Sequence, residues 1–222
     1  AVDTNYGIFE NNHGTIKNLN VIPRIKSTGI DSSGRRSVGG IVAINYGTIS
    51  NCTVLSAIGR GNEYYNETTM LVDIYAEAIS LYIGAVTGYN FGIVQNCINY
   101  ASLGGDCFIG GIVGHNTEFI KEKEYYKDLS STGSATPGLV KGCENWGTLY
   151  YHLMHEGGYS MGGIASYGKF GSAIEDCINH GQIVFAIMTI YANNNQPKLG
   201  RIVGQMHETA KLIDCEDLGQ VR

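Results

Sequence analysis

One phrase recurs six times along this chain, and the recurrence constrains its fold more than any single residue. The clearest copy is GGIVAINYGTISNC, Gly39 to Cys52. The others are GIFENNHGTIKNL (Gly7 to Leu19), GAVTGYNFGIVQNC (Gly84 to Cys97), GGIVGHN with a delayed GLVKGC (Gly110 to Cys143), GGIASYGKFGSAIEDC (Gly162 to Cys177) and GRIVGQMHETAKLIDC (Gly200 to Cys215). A unit repeated this often builds a solenoid, in which each unit buries its apolar side only against its neighbours.

Aligned on the last residue, the copies stack Leu19, Cys52, Cys97, Cys143, Cys177 and Cys215. Three residues earlier stand Ile16, Ile49, Val94, Val140, Ile174 and Leu212, aliphatic without exception and therefore core. Ile8, Ile41, Val86, Ile112, Ile164 and Ile202 form a second aliphatic column. Immediately before the cysteine come Asn18, Asn51, Asn96, Gly142, Asp176 and Asp214. Asn, Asp and Gly best tolerate left-handed backbone angles, so this column is a bend. Gly14, Gly47, Gly92, Gly138 and Gly171 predict another bend, with positive φ, and Ala210 predicts a distorted last unit.

Between the bends lie apolar runs of three to five residues rich in Val, Ile, Tyr and Phe, too short for long helices and suited to strands. The cysteine-equivalent positions lie from 33 residues apart (Leu19 to Cys52) to 46 (Cys97 to Cys143). A single β-solenoid coil needs fewer, so each unit carries an excursion. Composition agrees: 31 Gly against 3 Pro, with 16% charged residues, describes a bend-rich ordered chain. The 222 residues are expected to form one elongated domain, with insertions near 57–82, 117–137 and 184–198. The first copy begins at Gly7 and the last ends just ahead of Gln220-Val221-Arg222, with no evident helical cap, so the chain is expected to be a piece of a longer protein or flanked by other domains.

The net charge is −5 and no basic cluster argues for nucleic acid. No apolar stretch reaches membrane-spanning length. Five of the six cysteines share one column and Cys107 stands apart. No CxxC pair occurs, so a ladder of reduced, buried thiols is the expectation rather than a metal site.

The columns resemble the GLUG-type repeats of bacterial cell-surface proteins. The resemblance is carried by Gly39-Gly40-Ile41-Val42, Asn45, Gly47-Thr48-Ile49 and Asn51-Cys52, and by Gly110-Gly111-Ile112-Val113-Gly114 with Asn145 and Gly147. Such repeats occur in surface adhesins and in non-catalytic regions ahead of IgA-cleaving metallopeptidases. The resemblance implies an all-β, right-handed parallel β-helix of about six irregular coils with inserted loops or hairpins. It also implies an extracellular setting, on the cell surface or secreted, and no catalytic residues. The zinc peptidases of that family carry HExxH, which is absent here.

Binding chemistry is expected in the insertions. Tyrosine pairs recur there: Tyr64-Tyr65, Tyr125-Tyr126 and Tyr150-Tyr151. A tyrosine offers a flat apolar face and a hydroxyl, suited to stacking on a sugar or contacting a protein. The competing reading places one member of each pair in the core and the other over a strand edge. Thr68 to Gly84 reads either as an amphipathic helix, with Leu71, Ile74, Ala78 and Leu81 at helical spacing, or as a strand entering the next coil, which the other copies favour. Thr117 to Pro137 reads as a charged, solvated loop.

His152, His155 and Glu156 are ordered HxxHE, which matches no zinc-protease signature. Glu144, Glu175, Asp176, Asp214, Glu216 and Asp217 raise calcium binding, set behind a solvated acidic turn face beside Asn99, Asn145 and Asn179. Asn51-Cys52-Thr53 and Asn66-Glu67-Thr68 fit a glycosylation sequon.

The expectation is therefore a non-catalytic structural and adhesive module, without cofactor or metal, that binds host glycan or protein through its inserted loops and adjoins other domains of its own chain. Two alternatives stand: a substrate-recognition or spacer domain of a secreted IgA-type metallopeptidase, and a polysaccharide-active β-helix enzyme. The tyrosine pairs are the candidate binding residues.

Overall fold

The computed structural model of the protein describes residues 5–28, 36–57, 72–118, 137–153, 159–187 and 198–219. These residues form strands, bends and turns only. They contain no helix that could cross a membrane.

The short apolar runs are strands, and like strands stack on like. Three sheets hold six strands each and a fourth, longer sheet holds nine. Second-coil strands Arg36–Gly39, Val42–Asn45, Thr48–Ser50 and Thr53–Val54 illustrate one circuit, with one strand in each sheet. All pairings between coils are parallel. The protein is a parallel β-solenoid of about six coils, rising about 4.8 Å per coil. The tightest coil takes 26 residues, from Asn90 to Asn116, so the longer repeat spacings do contain excursions.

Stacking turns each sequence column into a ladder. Ile16, Ile49, Val94, Val140, Ile174 and Leu212 are consecutive register partners. Ile49, Val94 and Val140 are fully buried, whereas Leu212 in the last described coil is exposed. The second column behaves alike: Ile41, Val86, Ile112 and Ile164 are buried, and Ile8 in the first coil is exposed. The difference is purely positional, since an internal residue is covered from both sides.

The bend before the cysteine is left-handed in all six coils, with φ between 49° and 59° at Asn18, Asn51, Asn96, Gly142, Asp176 and Asp214. The glycine column has a different cause from the one expected. Gly14, Gly47, Gly92 and Gly138 have no positive φ. A β-carbon at Gly47 would stand 2.1 Å from the carbonyl oxygen of Gly14, and one at Gly92 would stand 2.1 Å from that of Gly47. Glycine is required because the backbones of successive coils nearly touch. Register places Ser172, not Gly171, in this column. Gly171 lies in a longer turn, closed by Ser172 N–H to Lys169 O at 3.1 Å, and Ala210 N–H closes the matching last turn onto His207 O at 2.9 Å.

Between 68 and 84 the strand reading holds from Ile74 onward. Ile74–Gly84 is an eleven-residue strand pairing Ile25–Thr28 and Arg36–Gly39 on one side and Leu103–Gly110 on the other. The insertion expected to run to 82 thus ends by Ile74. A register shift between Glu77 and Tyr82 lets Ile74 and Leu81, seven residues apart, both face the core; Leu71 and the side chain of Ala78 lie outside what is described. Residues 58–71, 119–136, 154–158 and 188–197, most of the remaining excursions, lie outside the described residues.

Candidate functional site

Twice in a coil the chain turns a corner through Asn-x-Gly or a close variant. On the first corner, Asn12 Nδ2 donates to Asn45 Oδ1 at 2.7 Å, Asn45 to Asn90 at 2.8 Å, and Asn90 to Asn116 at 2.8 Å. On the second, Asn99 donates to Asn145 at 2.8 Å, Asn145 to Asn179 at 2.9 Å, and Asn179 to Asp217 Oδ1 at 2.8 Å. Each asparagine also folds onto its own turn; Asn145 Oδ1 accepts the Gly147 N–H at 3.2 Å and its Nδ2 reaches Gly147 O at 3.3 Å. These amides are buried and hydrogen-bonded, as an amide away from water must be. Asn99, Asn145 and Asn179, expected beside a solvated acidic turn face, have interior side chains.

Because the asparagine is held inward, the middle residue of each triplet is turned out. The first corner thereby stacks His13 on Tyr46 (4.6 Å, 5° between planes) and Tyr46 on Phe91 (5.2 Å, 7°). Phe91 is buried with Tyr89 in a small cluster beside the main core, packed by Ile44, Tyr46 and Tyr82.

The second corner stays open. Its middle residues in the last four coils are Tyr100, Trp146, His180 and Leu218, following register partners Asn99, Asn145, Asn179 and Asp217. The His180 ring lies 3.7 Å from the indole of Trp146 and within 11° of parallel, while Tyr100 stands 6.4 Å away on the other side at 26°. Glu144 Oε2 accepts the indole N–H at 2.8 Å and lies 3.7 Å from His180 Nε2. Tyr100 is 45% exposed and Trp146 47%. The other exposed large apolar side chains among the described residues all belong to the first or last coil: Tyr6, Ile8, Phe9 and Ile22, then Leu199, Met206, Leu212, Ile213 and Leu218. Among the described residues of the coils between, the large apolar side chains left exposed are these two neighbours. The described part of the second coil reaches Ala57 at this same corner and resumes at Val72. Asp73 ties these two ends together, accepting from Ala57 N–H at 2.6 Å, Ser56 Oγ at 2.9 Å and Ser102 N–H at 2.8 Å.

Sequence reasoning had passed over this ledge, although a signal existed. NYA, NWG, NHG and DLG at 99, 145, 179 and 217 repeat in register, each with a bulky central residue. The tyrosine pairs fare differently. Tyr151 is fully buried, so its ring is core and presents no binding surface. Tyr150 points to the opposite face, half-buried, in register with Gly104 and Val184. Tyr64, Tyr65, Tyr125 and Tyr126 lie outside the described residues, as do His155 and Glu156.

The acidic residues are partly neutralised, between coils at Lys141 and within the last described coil at Arg201. Lys141 Nζ lies 3.1 Å from Glu175 and 3.3 Å from Asp176, and Arg201 Nε lies 2.5 Å from Asp217. Among the described residues no three His, Cys, Asp or Glu side chains converge as metal ligands would.

All six cysteines are free. In the ladder each Sγ reaches the carbonyl two residues back, as Cys143 does to Lys141 O at 3.4 Å and Cys177 to Glu175 O at 3.1 Å. Cys97 N–H and Cys143 N–H point to the Sγ of the following coil at 3.4 and 3.5 Å. Burial pushes the Cys143 thiol well above its ordinary range, which suits a packed side chain rather than a nucleophile.

No family model, no curated protein and no solved structure matches this chain.

Proposed function

We propose that this chain is a non-catalytic structural and adhesive module of a bacterial surface or secreted protein, a stiff rod that presents a contact surface along one corner. The observation that carries the reading is the Tyr100–Trp146 ledge, where the internal coils leave large rings open while covering every other large apolar side chain described. A soluble β-solenoid gains nothing in stability from such exposure, and exposed aromatics on a rigid scaffold mark contact sites. The non-catalytic character is supported by how the polar groups are used: asparagines join coil to coil, and Lys141 and Arg201 hold neighbouring carboxylates. The extracellular and bacterial setting rests on the resemblance of the repeat. This reading adds the solenoid corner to the insertions as a place of contact.

The test is to apply the purified chain to arrays of glycans and host surface proteins and, in parallel, to incubate it with polysaccharides. Retention on the arrays without release of shorter saccharides is expected. Saccharide release would replace this reading with that of a polysaccharide-active enzyme.

A further inference from the structure

We propose that the Tyr100–Trp146 corner binds neutral glycan, the sugar rings lying along the ledge. The inference rests on the adhesive reading and names the ligand class for it.

A pyranose has an apolar C–H face and a rim of hydroxyls. The corner offers both complements. Trp146 and Tyr100 supply aromatic surface nearly half exposed. Tyr100 stands farther from the indole than His180 does, 6.4 Å against 3.7 Å between ring centres, so its side of the indole is the less closely covered. The indole is fixed from behind by His180 and from the side by Glu144, so little side-chain freedom is lost when a ligand lands. Glu144, with 37% of its side chain exposed, uses one oxygen for the indole N–H. A carboxylate has about four acceptor positions, and those left can take sugar hydroxyls.

Size and charge select among occupants. A stable protein interface covers about 800 Å² on each partner, and two rings flanked by carboxylates fall far short of that. The row two residues earlier, Ile98, Glu144, Ile178 and Glu216, brings negative charge beside the ledge, and the whole chain carries −5. Sialylated or sulfated glycans would be repelled and neutral ones accepted. The ledge also continues from coil to coil at about 4.8 Å, so an extended glycan can meet successive positions rather than one pocket.

Trp146 is the only tryptophan, so its fluorescence reports on this corner alone. Titration with neutral gluco-, manno-, galacto- and N-acetylglucosamine oligosaccharides is expected to shift or quench the emission for at least one series, with sialylated and sulfated oligosaccharides silent. By calorimetry, Trp146→Ala and Tyr100→Ala are each expected to weaken that binding tenfold or more, Trp146→Phe to retain most of it, and Glu144→Gln to weaken it severalfold, all with unchanged thermal melting. Array binding that persists in the Tyr100→Ala/Trp146→Ala double variant would overturn the ledge as the site while leaving the adhesive module intact. Absence of any binding partner for the unaltered chain would overturn both. A dimer in sedimentation that Trp146→Ala abolishes, with every oligosaccharide silent, would overturn the glycan and assign the ledge to a second copy.

Discussion

Asn179 donates its side-chain N–H to Asp217 Oδ1 at 2.8 Å, and the second oxygen of Asp217 faces Arg201 Nε at 2.5 Å. Asp217 stands where the three preceding coils have an asparagine, after Val21 and Val54 in the first two. A carboxylate accepts without needing to donate, so the last coil ends the ladder with no amide N–H left over, and Arg201 balances the charge.

Interior members of the ladder should be far more sensitive than this end. Asn145→Ala removes the acceptor of Asn99 and the donor to Asn179. Two buried groups then lose a partner at about 1–3 kcal/mol each, giving a loss of about 2–6 kcal/mol. Asp217→Asn keeps an acceptor for Asn179 and loses an ion pair in which Arg201 is exposed although Asp217 is not, and screening on the Arg201 side should keep the loss below that of Asn145→Ala. Denaturant unfolding of the two variants measures the contrast.

Two glycines of one column should answer oppositely to the same change. At Gly47 a β-carbon collides with the backbone of the first coil, and a carbonyl held in a ladder cannot move aside. Gly47→Ala is expected to cost about 3 kcal/mol or more. A β-carbon at Gly14 meets nothing within 4 Å, and Gly14→Ala should be neutral or stabilising by about 0.4–1 kcal/mol. Equal destabilisation of both by thermal melting would show that the column is required for backbone angle instead.

At the other bend the backbone angle is itself the constraint. Asn51 is exposed with φ 52°, and left-handed geometry costs an ordinary L-residue about 1–2 kcal/mol. Asn51→Ala should lose about that amount and Asn51→Gly should lose little. Paired unfolding curves decide it.

The cysteines should resist alkylation in the native state. Cys52, Cys97, Cys107, Cys143 and Cys177 are buried, and Cys215 alone is partly open. The hydrogen bond with Cys177, then burial, push the Cys215 thiol up, while hydrogen bonds within the ladder pull Cys97 and Cys177 down, so for those two it is burial that keeps the reagent away. Mass spectrometry after brief iodoacetamide treatment should find at most Cys215 modified, and all six after denaturation.

One excursion should be dispensable. Asn116 pairs in register with Asn90 and Leu139 with Ile93, while Gly138 N–H closes onto Thr117 O at 3.1 Å. In the preceding coil the same corner is Asn90-Phe91-Gly92. Replacing residues 117–137 by one phenylalanine should restore the short corner and leave melting equal or higher, because loop closure becomes cheaper as the loop shortens. Loss of cooperative melting would show that the excursion supports the coil.

The amino-acid order alone determined the solenoid, its aliphatic ladders, the cysteine stack and the left-handed bends. Each is a property of one position repeated, and residues such as Asn51 or Val94 declare it by their backbone tolerance or their apolar character. Tertiary structure decided what depends on the neighbouring coil. Gly47 is glycine because Gly14 lies against it, a reason invisible in its own segment. Asn145 is interior because Asn99 and Asn179 complete its hydrogen bonds; by itself it reads as a polar surface residue. Tyr151 and Trp146 are placed by the same kind of cause: alternation along a strand turns the first into the core, and the inward asparagine turns the second out beside Tyr100, where the ledge forms.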